Sequence, residues 1–434
     1  MAGRKDGGSR VDATGPAGFD PAVVAAGERI GARALEHVRH LAVDIGPRGA
    51  ATEGERLGSE YAEREMRRWG QDTRVQTFRC YWTLSLPWGL VGLLMVAAGV
   101  LLWVSPLAAA VVAGLNLLIY LPLASGRGDI SLLFPRRPSR NVWTKVPAAG
   151  GGRPGRRVVL LAHVDTTRAS LLYEPRQLRR LRSSHMVNLA GVVGLFVLAV
   201  VSVVAERAVP AVAAAPGAAS AVLLGLRLVG SALAGVAAYG LALLAHRELF
   251  MPYVAGANDN ASGVGLTLAL GEHLASSPLQ NTEVWCVVTG AEETGYPAGA
   301  RRFIDAHLDA LRDADILVLD NIGAGDLRHL TAEGIILPLR MDPGLLELAR
   351  RVGRRHPDWN VRDSVCNLGY TDATPAILAG CRTLALWAEG PDGFLVNYHW
   401  PTDTFENIDP ETLRRAAVFV LEMLQAIDRG EDRT

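Results

Sequence analysis

Cysteine is scarce in this 434-residue chain, and each cysteine stands alone. Cys80, Cys286, Cys366 and Cys381 form no C-x-x-C pair and no short-spaced framework, which argues against a disulfide scaffold and against a cysteine zinc site. An apolar leader is missing too. The opening MAGRKDGGSRVDATGPAG has no hydrophobic core, and residues 1–25 read as a disordered tail. Neither sign of charge is in excess: 44 Lys+Arg face 44 Asp+Glu, so no nucleic-acid partner is expected. One long stretch lacks charge altogether, because no Lys, Arg, Asp or Glu occurs between Cys80 and Gly126.

That stretch holds LPWGLVGLLMVAAGVLLWV (86–104) and LAAAVVAGLNLLIYLPLA (107–124), divided by Ser105-Pro106. Each run is near the length needed to cross ~30 Å of hydrocarbon. A second pair follows in MVNLAGVVGLFVLAVVSVVA (186–205) and a run from about 221 to 244, whose one charge, Arg227, lies close enough to its start to snorkel. Two transmembrane hairpins are therefore expected, 86–124 and 186–247, giving four transmembrane helices and a lipid bilayer as partner. Arg74, Arg79, Arg127, Arg136, Arg137, Arg140, Arg176, Arg179, Arg180, Arg182 and Arg247 flank one side. The positive-inside rule puts that side in the cytoplasm of a multi-pass plasma-membrane protein. Each insertion crosses an even number of times, so segments 26–82, 139–183 and 251–428 share that side and can form one domain.

With the apolar runs set aside, strands alternate with helices. QDTRVQTF (71–78), NVWTKV (141–146), RVVLLAHVD (157–165), EVWCVVTG (283–290), DILVLDNIG (315–323) and CRTLALW (381–387) read as strands. Helices are expected in 26–69, after Asn260, and at 299–308, 343–355 and 411–427. The fold class is α/β, a mainly parallel mixed sheet flanked by helices. Chemistry in such sheets gathers at the carboxyl ends of strands.

Several polar residues fall at those ends: His163 and Asp165, Glu292 and Glu293, Asp320, with Asp259 in the loop GANDNASGVG and His399 in VNYHWPTDTFEN. Burying such groups is costly unless they are paired or bind a metal. Read alone, Asp259 is either a metal ligand or part of a polar turn capping the next helix. Together, two histidines and three acids suit Zn²⁺. Five ligands exceed what one open catalytic zinc takes, whereas two metals sharing a carboxylate use all five. Of Glu292 and Glu293, one can bind metal while the other serves as general base. Asp165, two residues past His163, can hold the imidazole tautomer.

The motifs HVD, NDN, GAEETG, LDNIG and YHWPTDTFENID resemble those of the co-catalytic dizinc aminopeptidases, the family of bacterial leucine aminopeptidases and glutamate carboxypeptidases. The likeness covers roughly 30–82, 139–167 and 251–428 and implies a zinc exopeptidase-like domain interrupted by the hairpins. It also implies two Zn²⁺ per chain: His163 and Asp320 on one, Glu293 and His399 on the other, Asp259 bridging, with Glu292 as general base and Asp165 as orienter. A cis peptide after Asp259 is typical of the family. Asp372 and Tyr398 are expected at the substrate pocket. The implied activity is a membrane-anchored metallopeptidase, an aminopeptidase acting on peptides. The alternatives are a non-catalytic receptor or chaperone, and a dizinc amidohydrolase or cyclase on other amides.

Overall fold

A computed structural model describes residues 21–70, 72–151, 155–208 and 216–433. Nine strands build one sheet: β1 (Arg74–Cys80), β2 (Arg137–Val146), β3 (Arg156–His163), β4 (Thr282–Thr289), β5 (Asp315–Leu319), β6 (Asp326–Glu333), β7 (Leu339–Arg340), β8 (Arg362–Cys366) and β9 (Arg382–Glu389). Their spatial order is β1-β2-β4-β3-β5-β9-β6-β7, with β8 also on β6. The centre, β4-β3-β5-β9, is parallel. Val158, Val159, Leu160, Leu161 and Ala162 of β3 are buried, as a strand covered on both faces requires.

The sheet is mixed rather than mainly parallel. β1–β2, β2–β4, β6–β7 and β6–β9 are antiparallel, balancing the parallel pairs β3–β4, β3–β5, β5–β9 and β6–β8. Strands β6, β7 and β8 have no apolar alternation to announce them. Buried Arg328 of β6 pairs with Glu389 of β9 at 3.2 Å.

Helix begins at Pro21, inside the expected 1–25 tail; residues 1–20 lie outside the described residues. Val23, Ala26 and Ile30 bury, and Gly27 and Gly31 bring this helix (Pro21–Arg39) against Val418 and Arg414 of the closing helix Pro410–Asp428. That closing helix starts with Pro410 in its first turn and Asp409 accepting from Glu411 N at 3.0 Å.

Both apolar insertions leave and re-enter the domain at paired positions. The first departs after Cys80, whose partner in the ladder is Arg137. The second departs after β3 and returns beside it: Arg168 bridges Tyr253, Ala169 N donates to Pro252 O and Val254 N to Thr167 O. The helices they carry, Ser85–Leu101, Pro106–Ala124, Leu181–Ala208 and Pro216–Phe250, pack into a bundle. Inside it, Val91, Met95, Tyr120, Leu195 and Ala199 are buried, and Gly99 lies so close to Ala234 and Gly230 that a Cβ there would clash. Outside it, Leu118 is 72% and Leu228 56% exposed. Three of these helices are long and apolar enough to cross a membrane, rather than the four expected. Ser85–Leu101 has 17 residues, because Pro106 forces Ser105 into an extended conformation and helix gives way before it.

The bundle meets the domain at Arg247. It is fully buried, and its guanidinium donates to Thr83 Oγ1 (2.9 Å), Ser85 Oγ (3.2 Å) and Thr167 Oγ1 (2.6 Å) and pairs with Glu248. The sequence suggested a solvated membrane flank; the structure makes Arg247 the knot tying both insertions to β3. Arg247→Ala strips the buried junction of its donors, while Arg168 remains 3.6 Å from Glu248, and is expected to destabilise the protein by about 1–3 kcal/mol. Thermal unfolding in detergent checks this, and an unchanged midpoint would refute it.

Candidate metal centre

The carboxyl ends of β3, β4 and β5 converge on one point. β3 delivers His163 and β5 runs into Asp320. Past β4, Ala291 turns the chain with φ +56° and presents Glu292 and Glu293. His399 comes from the loop after β9, itself at φ +50°. Asp259 stands in the turn before the helix Gly263–Ser276, and the Asp259–Asn260 peptide is cis.

The NDN turn is held from every side. Asn258 Oδ1 accepts from Gly323 N (2.8 Å), and Asn258 Nδ2 donates to Asn321 Oδ1 (3.2 Å). Asn260 Nδ2 donates to Leu319 O (2.9 Å), and Asn260 Oδ1 accepts from Gly263 N (2.9 Å). The two amides thus pin the turn to the end of β5. Asp403 clamps it from behind, accepting from Asn258 N (2.7 Å) and Asp259 N (3.1 Å). Gly256 enters the turn at φ +63°, where a Cβ would sit 2.4 Å from Asp259 O.

So fixed, the two oxygens of Asp259 face opposite ways. Oδ1 lies 3.3 Å from His163 Nε2, which is also 3.6 Å from Asp320 Oδ1. Oδ2 lies 3.1 Å from His399 Nε2, which is 3.0 Å from Glu293 Oε1. Two groups of three ligand atoms result, His163–Asp259–Asp320 and Asp259–Glu293–His399, each within 4.8 Å and all buried. Ligands about 2.0–2.2 Å from one ion sit at such separations. Glu293 Oε1 is buried, close to His399 Nε2 yet without a well-formed hydrogen bond, as an atom shared around a cation would be. His163 Nδ1 lies 3.1 Å from the Asp165 carbonyl, which can only accept; Nδ1 therefore carries the proton and Nε2 is left with its lone pair. The donor set fits metal.

Asp165 differs from its expected role. Its carboxylate, 3.7 Å from His163 Nδ1, also accepts from Glu292 N and Glu293 N, both at 3.0 Å. The backbone carbonyl orients the imidazole, and the side chain fixes the tandem glutamates. Asp372 differs as well: it is fully buried behind the wall, bonded by the Thr289 hydroxyl, and burial pushes its carboxyl up to about 7. Tyr398 does line the cavity, its ring stacked 3.8 Å from that of His399.

The cavity is lined by the five candidate ligands and Glu292 together with Cys366, Gly369, Tyr370, Thr371, Trp387 and Leu395. Burial and then the neighbouring Glu293, Asp372 and Asp320 push the Glu292 carboxyl well up, against the pull of His163. Burial disfavours the imidazolium of His163, yet Glu292 and the flanking aspartates raise it well above the ordinary value; His399 is raised likewise by Glu293 and Asp259. Each imidazole therefore holds a proton to higher pH than a free histidine, and a cation must displace it. Zinc affinity is expected to rise with pH until the raised imidazole pKa values are passed, because protonation of the ligand nitrogens competes progressively less. Calorimetry in buffers of different ionisation enthalpy should show proton release at pH 7, and none would place the histidines off the metal.

Residues 238–424 match the profile of Peptidase family M28. The fold is that of the zinc-dependent exopeptidases. An aminopeptidase from Aneurinibacillus sp. strain AM-1 superposes with a TM-score of 0.56 at 14% identity, over 93% of this chain and 95% of that one. A zinc aminopeptidase from Bacillus subtilis gives 0.54 at 14% identity, over 92% and 95%. A glutaminyl cyclase from Tannerella forsythia gives 0.52 at 14%, over 91% and 98%. No curated protein matches the sequence.

Within this exopeptidase fold, His163 and Asp259 are 96 positions apart in sequence, and the second insertion fills the gap. Sequence reasoning passed over four supports. Arg48, fully buried, donates to the carbonyls of Leu41, Gly46, Val164, Ala255 and Gly256. Glu55 accepts from Ala51 N and Ala291 N, bracing the glutamate turn. Asp403 lies within a motif noted for its histidine. Tyr173 sets its ring edge 4.5 Å from His399.

Proposed function

We propose that the protein is a membrane-anchored zinc metallopeptidase that acts as an aminopeptidase. The carrying observation is Asp259, which offers one oxygen to each of two three-ligand groups. His163 and Asp320 would hold one zinc, Glu293 and His399 the other, with Asp259 between. Bound there, a zinc pair supplies Lewis acidity and brings the pKa of a water toward ~7. Glu292, on the cavity wall beside these ligands, takes a proton from the attacking water and returns it to the leaving nitrogen. Tyr398, on the cavity wall, would donate a hydrogen bond to negative charge developing on the carbonyl oxygen. The complete ligand set favours catalysis over a receptor or chaperone role. The three long apolar helices support anchoring in the membrane, and the Arg-rich flanks support a cytoplasmic domain.

The likeness in fold to a glutaminyl cyclase favours one second reading, cyclisation or cleavage of other amides. The test is metal analysis of the detergent-purified protein, followed by assay on free and N-blocked aminoacyl substrates and on N-terminal glutaminyl peptides. About two zincs per chain and chelator-sensitive cleavage of free aminoacyl substrates are expected. Preference for N-blocked substrates removes the aminopeptidase assignment, ammonia release from glutaminyl peptides selects the cyclase, and chelator-insensitive turnover removes the zinc mechanism.

A further inference from the structure

The two candidate metal groups hold their histidines differently. The His163 imidazole is fixed by a hydrogen bond, because its Nδ1 lies 3.1 Å from the Asp165 carbonyl. A ligating histidine ordinarily has such a partner on its second nitrogen, and the partner sets the orientation of the ring. The His399 Nδ1 is buried and has no hydrogen-bond partner among the described residues. The local backbone is no substitute. His399 lies in a turn at φ +50°, two residues after Asn397 at φ +60°, and non-glycine residues persist in that left-handed region where their surroundings over-determine them.

What surrounds the imidazole is aromatic. Tyr398 stacks on it, with centroids 3.8 Å apart and planes at 22°. The Tyr173 ring stands 4.5 Å from that of His399 at 78°, and 5.5 Å from that of Tyr398 at 89°. Both are edge-to-face contacts at separations where aromatic pairs attract. Tyr398 precedes His399 in the chain and moves with the same loop. Tyr173 comes from elsewhere and can hold that loop in place. It ends the short turn Leu171–Tyr173, inside the second insertion, between β3 and the helix Leu181–Ala208. The turn is itself rooted. Buried Ser170 accepts through its hydroxyl from Leu172 N at 3.3 Å and through its carbonyl from Tyr173 N at 2.9 Å, and Ala169 N donates to Pro252 O where the insertion returns. The same turn packs on the helix Pro216–Phe250. Tyr173 is half-buried and does not line the cavity. We infer that Tyr173 is a positioning residue for His399: its ring does for His399 what the Asp165 carbonyl does for His163, and through it the insertion that carries the apolar helices completes the Asp259–Glu293–His399 group. This rests on the two-metal reading above and assigns one further residue a role within it.

The experiment is calorimetric zinc titration of the full chain in detergent. Tyr173→Ala in the otherwise wild-type chain is expected to weaken one of the two binding steps about tenfold and leave the other unchanged, the low end of what loss of a ligand's support costs. Two backgrounds assign the step. His163→Ala leaves Asp259, Glu293 and His399 as the intact group, and His399→Ala leaves His163, Asp259 and Asp320. Adding Tyr173→Ala should weaken zinc in the first and leave it unchanged in the second. Tyr173→Phe keeps the ring and should match its parent throughout. Cobalt absorption in the His163→Ala background should change with Tyr173→Ala and not with Tyr173→Phe. Both binding steps unchanged, both weakened equally, or a Phe variant as weak as the Ala variant overturns this inference and leaves the zinc reading standing. Wild-type protein that binds no zinc overturns both.

Discussion

Glu292→Gln is expected to lower kcat by at least about 10²-fold, the usual contribution of a positioned proton carrier, while metal content and KM stay near wild type. The two adjacent glutamates are held alike, both N–H groups donating to Asp165, yet their side chains have different surroundings. Glu293 Oε1 lies 3.0 Å from His399 Nε2, inside a ligand group, whereas Glu292 lines the cavity outside either group. Gln keeps the shape of Glu292 and removes its basicity. Glu293→Gln should instead lose metal along with activity. Metal analysis beside steady-state kinetics separates the two. A Glu292→Gln enzyme with wild-type turnover would remove the proton-relay role, and one that loses zinc would make Glu292 a ligand.

Asp259→Asn is expected to weaken binding of both ions by at least about a hundredfold, more than the 10–100-fold typical for a group that only supports a ligand. Every other ligand belongs to one group; Asp259 belongs to two. Burial opposes its ionised form, but His163 and His399 hold its carboxyl well below the usual carboxylate range, so the anion is the native species. An amide in its place removes that charge and one of the two accepting oxygens. Zinc titration monitored by calorimetry checks it, and loss of a single ion with the other held normally would show that Asp259 does not bridge. Asp403→Asn makes a useful contrast. It loosens the clamp behind the turn while all five ligands stay, and a smaller loss, about tenfold, is expected.

His163, Glu293 and Asp320 were legible because each is a polar residue at or just past the end of an apolar strand, whereas Asp259 and His399, in loops, were legible through the NDN and YHWPTDTFENID motifs. The central strands were legible because burial on both faces demands unbroken apolar runs. What was hidden has partners that a sequence does not display. Arg48 and Asp403 bond chiefly to backbone groups, so neither has a complementary side chain to betray it. Asp165 and His163 share a face of one strand by spacing, which suggested a side-chain contact; the turn after His163 brings the Asp165 carbonyl nearer instead. Asp372 reads as a pocket acid beside Tyr370, yet in the helix start at Ala373 it turns inward to Thr289. Strand β6 escaped notice because its terminal Glu333, fully buried, is satisfied by Thr371 and Thr374 some forty residues on.

The paired exits at Cys80–Arg137 and Arg168–Tyr253 make the helix bundle separable from the sheet domain. Each apolar excursion starts and finishes within one ladder pair, so a tight turn could span either gap and leave the ligand-bearing strands in register. Excising both would yield a miniature that retains the five candidate ligands but lacks Tyr173 beside His399 and the Ala124 strut under Tyr370.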